Sequence, residues 1–279
     1  MLAINTDYMN SHGNPEPRLR QIADAGFSKI HWCHHFGSDY IYSDDEIDQI
    51  TRWLRSYQLT VNDLHASSGE TNHYYAANED IRLAGLELVK NRIHMANRLD
   101  TDVIVLHLSA QPDEADKNVA FWEAVRRSMD ILIPYARERN IRIAFENLLS
   151  NHATLQKILA TYDPLDVGIC YDPGHGNIVG DGLDFAEAVK DRLIAFHLND
   201  NDSSGDQHGL IFSGTVDWDR LARIIAASAY DKEFMTIELT MPQEPGNIYA
   251  GDEAGFLSHA MASGLEFHKM VADARLDSP

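Results

Sequence analysis

Short apolar, β-branched runs alternate along the whole chain with longer stretches in which apolar residues recur every three to four positions. The short runs predict buried strands, and the three-to-four spacing predicts amphipathic helices. Strands are expected near Leu2–Thr6, Phe27–Trp32, Leu59–His65, Val103–His107, Ile141–Glu146, Val167–Tyr171, Leu193–Leu198 and Phe234–Leu239. Helices are expected near Pro17–Ala25, Asp44–Tyr57, Glu79–Leu99, Val119–Arg139, His152–Thr161, Asp184–Lys190, Trp218–Ser228 and Asp252–Ala272. Eight strand–helix units in 279 residues are the size of a (β/α)8 TIM barrel, a parallel α/β fold, here as one domain over 1–279. A doubly wound open sheet is the other parallel solution. It is weakened because no Gly-x-Gly-x-x-Gly follows the first strand. No linker, low-complexity segment or long charge run divides the chain.

The same pattern places polar residues at the strand ends. The third, fourth and fifth strands close on His65, His107 and Glu146, and the sixth, seventh and eighth on Asp172, His197 and Glu238. In a barrel these ends converge on one mouth, so six metal-ligating residue types would face a common volume. Asp172-Pro-Gly-His175 reads as a sharp turn carrying a histidine, and Asp206 and His208 lie in the loop after the seventh strand. One histidine or acid after an apolar strand is ordinarily a hydrogen-bonded residue. The joint pattern decides, because carboxylates this close repel and take up protons unless a cation lies between them. Glu146, Asp172, His197 and Glu238 form an oxygen-rich donor set suited to Mn²⁺, Mg²⁺ or Co²⁺, with Zn²⁺ tolerated. His65 and His107 with Glu146 could hold a second cation, and His175, Asp206 and His208 a third, both suited to Zn²⁺. Up to three sites are therefore expected, the other reading of these histidines being contact with substrate hydroxyls.

Composition narrows the partners. With 43 acids against 23 bases the net charge is -20, which repels nucleic acid and anionic membrane and suits bound divalent cations. The two cysteines, Cys33 and Cys170, make no disulfide framework or Cys-x-x-Cys clip. Nothing resembles a signal peptide or a membrane span, so a reduced, soluble, cytoplasmic protein is expected, with homo-oligomerisation left open.

The chain resembles the xylose-isomerase-like TIM barrels, a superfamily of sugar isomerases and epimerases that also contains endonuclease IV. The resemblance is carried by Asp63-Leu-His65, Val105-Leu-His107, Phe145-Glu-Asn147, Tyr171-Asp-Pro-Gly-His175, His197-Leu-Asn-Asp200, Asp206-Gln-His208, Gly214-Thr-Val-Asp-Trp218 and Ile237-Glu238. It implies that Glu146 and Glu238 exchange a proton α to a metal-held carbonyl while His175 orients or protonates an oxygen. The residue types that ligate three zinc ions in endonuclease IV also all have counterparts: His65, His107, Glu146, Asp172, His175, His197, Asp206, His208 and Glu238. A metal-dependent hydrolase or phosphodiesterase with a trinuclear zinc site is thus the alternative. Against it, Gly214-Thr-Val-Asp-Trp218 has the wording of the isomerase and epimerase branch, and Asp-Pro-Gly-His departs from the Asp-Thr-x-His of the nuclease.

Charge at the mouth separates the two. Segments 7–16, 33–43, 66–78, 147–151, 173–183, 199–217 and 240–251 contain no Lys or Arg, and 108–118 contains only Lys117. Nucleic-acid affinity depends on basic contacts to phosphate, so DNA is disfavoured as a partner. The same loops carry Tyr8, Phe36, Tyr40, Tyr42, Tyr74, Tyr75, Phe212 and Tyr249, and aromatic faces beside polar groups suit a neutral sugar or polyol. Expected substrate contacts are Trp32, His34, His65, Tyr74, His107, Asp206 and His208, with a small sugar-like molecule as partner.

Overall fold

The structure, a computed structural model, describes residues 1–9 and 13–276, so residues 10–12 of the first mouth loop and 277–279 lie outside the description. Strands β1 (Leu2–Asn5), β2 (Lys29–Trp32), β3 (Thr60–His65), β4 (Val103–Leu106), β5 (Arg142–Glu146), β6 (Val167–Tyr171), β7 (Leu193–Phe196) and β8 (Met235–Ile237) pair in parallel. Their order is β7-β6-β5-β4-β3-β2-β1-β8, and a parallel bridge between Leu198 and Ile237 brings the two edges together. The result is a nearly closed single-domain (β/α)8 barrel.

Helices α1 (Glu16–Asp24), α2 (Asp44–Ser56), α3 (Glu79–Arg98), α4 (Ala115–Arg137), α5 (His152–Thr161), α6 (Pro173–Val179), α7 (Gly182–Ala188), α8 (Trp218–Ala226) and α9 (Glu253–Leu276) surround it. No helix among the described residues is long and apolar enough to cross a membrane.

Strand alternation divides the core in two. On β4, Ile104 and Leu106 join the large cluster beneath the helices, while Val103 and Val105 join Ala144, Cys170, Ile194 and Ala195 in a separate small cluster. Successive side chains leave a strand on opposite faces, so the small cluster is the barrel interior. It plugs the barrel and supports the polar mouth.

Three expectations about the helices need correction. The predicted turn at Asp172-Pro-Gly-His175 is the start of α6: Pro173 occupies the first turn and the Asp172 carboxylate accepts the His175 N–H at 2.8 Å. Proline fits there because its fixed φ is helical and its missing N–H would have no helical partner. The single helix predicted over Asp184–Lys190 is instead α7, which begins at Gly182. Gly182 lies so close to Gly176 that a Cβ on it would sit 2.1 Å from the Gly176 Cα. The glycines that permit this packing hid the helical period. Helix α4 also begins earlier than the predicted Val119, because its first turn is polar and carries no apolar spacing.

Candidate metal centre and active site

Six strands deliver ligand-type side chains to the mouth. His65 and Glu146 end β3 and β5, and His107, Asp172, His197 and Glu238 directly follow β4, β6, β7 and β8. Glu146, Asp172, His197 and Glu238 are all buried, with donor atoms within 4.8 Å of one another. His197 Nδ1 lies 3.1 Å from Glu146 Oε2 and 3.2 Å from Glu238 Oε2. Yet neither buried nitrogen of His197 makes a hydrogen bond. Three buried carboxylates gathered round one imidazole suit a shared divalent cation. The residues therefore fit the metal that their types imply.

Two further groups adjoin this set. His65 and His107 approach each other at 3.1 Å through their Nε2 atoms, and His107 Nε2 lies 3.1 Å from Glu146 Oε2. On the other side Asp206 stands between His175 at 3.3 Å and His208 at 3.1 Å, and Asp172, His175 and His208 form a third donor group.

Ring orientation is as telling as proximity. The Nδ1 atoms of His65, His175 and His208 meet the carbonyls of Ala66 (2.9 Å), Asn147 (2.8 Å) and Glu238 (3.2 Å). A carbonyl only accepts, so Nδ1–H donates and Nε2 is the nitrogen turned to the cluster. Metal-binding histidines are held in this way. Asp172 is fixed by Asn199 Nδ2 at 2.7 Å, and Asn147 bridges β5 to β6 through Asp172's own N–H (2.7 Å) and carbonyl (2.8 Å). Asp200 anchors the loop that carries Asp206 and His208, accepting from Trp218 Nε1 at 2.8 Å and from the Val216 N–H at 3.1 Å.

The electrostatics follow from crowding. Burial pushes Glu146 up, but His197 and His107 outweigh it and hold the carboxyl well below its usual range. Burial likewise opposes the lowering of Glu238, which His197 and His208 impose. At Asp172 burial prevails over His175 and His208 and raises the group to about 6. Burial alone would lower His175 and His208, yet the surrounding acids, chiefly Asp172 and Asp206 respectively, raise them to about 11 and about 10. Both rings thus carry protons at neutral pH without metal, and a cation must displace them. Protons compete with metal, so apparent Mn²⁺ affinity should rise between about pH 6 and about pH 8, with protons released on binding. Titration calorimetry in buffers of differing ionisation enthalpy measures both, and a flat or falling affinity contradicts the assignment.

The structure does not bring every expected residue to this cluster. Tyr74 is buried, its hydroxyl donating to the His107 carbonyl at 2.9 Å, so it braces the loop below the ligand. Trp32 is buried and donates to the Tyr42 hydroxyl at 3.3 Å. With His34, His35 and Tyr40 it lines a side cavity of about 140 Å³. His34 Nε2 donates to the Gly13 carbonyl (2.9 Å), and burial lowers the group to about 4, so it is neutral. Phe36 instead covers the ligands, its ring 4.6 Å from that of His65 and 6.0 Å from that of His107. The mouth also rests on His31 and Asp63, a buried pair that strand-end reasoning passes over. Parity would have found them: Asp63 is two residues before His65 and therefore faces the same way.

This arrangement of strands and donors can be set beside known proteins. The family model described as xylose isomerase-like TIM barrel matches residues 19–259. The chain belongs to this family. An uncharacterized protein of Sinorhizobium fredii is 33% identical over 284 residues, covering 92% of this chain and 89% of that protein. A probable endonuclease 4 of Thermoplasma acidophilum is 28% identical over 195 residues, covering 62% of this chain and 66% of its own. Among solved structures, a D-tagatose 3-epimerase-like protein superposes with a TM-score of 0.78 at 19% identity, covering 98% of each chain. At that identity the likeness speaks for the barrel.

Proposed function

We propose that the protein is a metal-dependent isomerase or epimerase of a small, neutral sugar or related polyhydroxy carbonyl compound. The observation that carries this is the pairing of two buried glutamates across one donor set. Glu146 and Glu238 both reach His197, from strands separated by β6 and β7, and so can address a bound carbon chain from two sides. A divalent cation at Glu146, Asp172, His197 and Glu238 would supply the Lewis acidity that stabilises charge developing on the substrate oxygens.

The chain's own groups do the rest. One glutamate removes the proton α to the carbonyl and the other returns it, each acting through its carboxylate. His175, held on the Asn147 carbonyl by Nδ1, turns Nε2 toward Asp206 and the substrate side, where it can orient or protonate a hydroxyl. Phe36 supplies an apolar wall beside the cluster. The near absence of basic residues from the mouth loops supports an uncharged substrate over a phosphorylated one.

The second reading, a phosphodiesterase with three zinc ions, is favoured by the complete set of nine donors and by the endonuclease 4 relative. The two readings are separated by exchange of substrate α-protons with solvent deuterium, measured across unphosphorylated keto- and aldo-sugars, against cleavage of an abasic-site duplex.

A further inference from the structure

Asp172 has both of its carboxylate oxygens engaged by the chain. Oδ1 accepts the His175 N–H at 2.8 Å, and Oδ2 accepts from Asn199 Nδ2 at 2.7 Å. A carboxylate offers about four lone-pair sites, so each oxygen keeps one for a cation. The same Asn199 amide donates to the His197 carbonyl at 3.1 Å. One carboxamide thus ties the donor that follows β6 to the donor that follows β7. Asp172, His197 and Asn199 are all fully buried.

The other end of that amide has been given room at a cost. Asn199 Oδ1 is buried and meets no donor among the described residues. It lies against Gly174, where a Cβ would stand 2.0 Å from Oδ1 and 3.0 Å from Cγ of Asn199. Nothing in the backbone of Gly174 calls for glycine, since its φ is not positive. It sits in the first turn of α6, where alanine is the better helix former. Turning the amide over would set its oxygen against the Asp172 carboxylate, so the orientation is fixed. A buried carbonyl without a donor calls for an explanation, and the amide's other end supplies it.

Building on the reading of Asp172 as a metal ligand, we propose that Asn199 is a positioning residue for Asp172, and that residue 174 is glycine to make room for the Asn199 amide. Nδ2 sets the rotation of the Asp172 carboxylate relative to His197, which turns the remaining lone pairs into the donor cluster. A carboxamide does not titrate, so the role involves no change of protonation. Partners that orient a ligand in this way govern how tightly a metal is held.

The test is a double-substitution cycle in the full-length protein, read by Mn²⁺ titration calorimetry and by the visible absorption of bound Co²⁺. Asn199→Ala should weaken Mn²⁺ about tenfold or more and alter the Co²⁺ spectrum. Gly174→Ala leaves Asn199 in the chain but drives its amide off Asp172, and should do the same. The double variant should bind Mn²⁺ within about threefold of Asn199→Ala alone, because the new methyl then has no amide oxygen to meet. Only the end of the Asn201 amide, 2.9 Å from that methyl, has to give way. Mn²⁺ affinity within about threefold of wild type in Asn199→Ala, with an unchanged Co²⁺ spectrum, overturns the proposal even if the melting temperature falls. Losses that multiply in the double variant overturn it as well, since Gly174 would then act independently of Asn199. Should Asn199→Ala not fold, a crystal structure of the Mn²⁺-loaded wild type decides. Asn199 Nδ2 should remain within about 3 Å of an Asp172 oxygen, and an amide released from Asp172 overturns the proposal. None of these readouts needs turnover. A protein that passes them yet exchanges no sugar proton refutes the isomerase reading and leaves the role of Asn199 standing.

Discussion

Replacing Glu146 or Glu238 with glutamine should lower α-proton exchange by on the order of 10³-fold or more while leaving the barrel folded. Removing one general acid–base group costs about 10²–10⁴-fold, and on the proposed reading each glutamate would also be a donor to the metal. Glutamine keeps the volume of the side chain and removes a negative charge from a crowded acidic site, so the fold should tolerate it. Both carboxyls are held ionised by neighbouring histidines, which suits ligation and proton abstraction alike. The loss should fall on kcat, with circular dichroism unchanged and metal content followed by mass spectrometry. Full activity in either variant would dissolve the assignment of the acid–base pair.

Stripping the metal should abolish exchange and lower the melting temperature. A ligand bound only by the native state at 100 times its Kd contributes about 2.7 kcal/mol. For a domain of this size that corresponds to roughly 5–10 °C. The physical cause lies in the cluster itself. Without a cation, Glu146, Asp172 and Glu238 share one buried volume with only histidines to offset their charge. Chelation followed by calorimetry reads the shift, and reloading with Mn²⁺, Mg²⁺, Co²⁺ or Zn²⁺ identifies the ion that restores both stability and exchange. A melting temperature indifferent to chelator would mean that the donors are satisfied by protons alone.

The barrel and its mouth were legible because both rest on short-range regularities. Apolar runs marked every strand, and the residue closing each run pointed to His65, His107, Glu146, Asp172, His197 and Glu238, which the fold brings together. What was not legible depends on contacts between distant segments. Asp172-Pro-Gly-His175 has turn wording, and it becomes a helix start because the Asp172 side chain caps it. Trp32 and Tyr74 sit in mouth segments but turn into the packing, their polar atoms taken by Tyr42 and His107. His31 and Asp63 lie inside strands, where a polar residue is easily assigned to the solvent face. The parity of Asp63 with His65 places it in the interior, but its pairing with His31 depends on the neighbouring strand.

The central claim is that the cluster moves a proton on a neutral sugar. Its most direct test is nuclear magnetic resonance of unphosphorylated ketoses and aldoses incubated in deuterium oxide with the Mn²⁺-loaded protein. The account expects deuterium at a single carbon α to the carbonyl of at least one sugar, absent with the Glu146→Gln and Glu238→Gln variants. Three tightly held zinc ions per chain, with cleavage of an abasic-site duplex and no deuterium in any sugar, would contradict it.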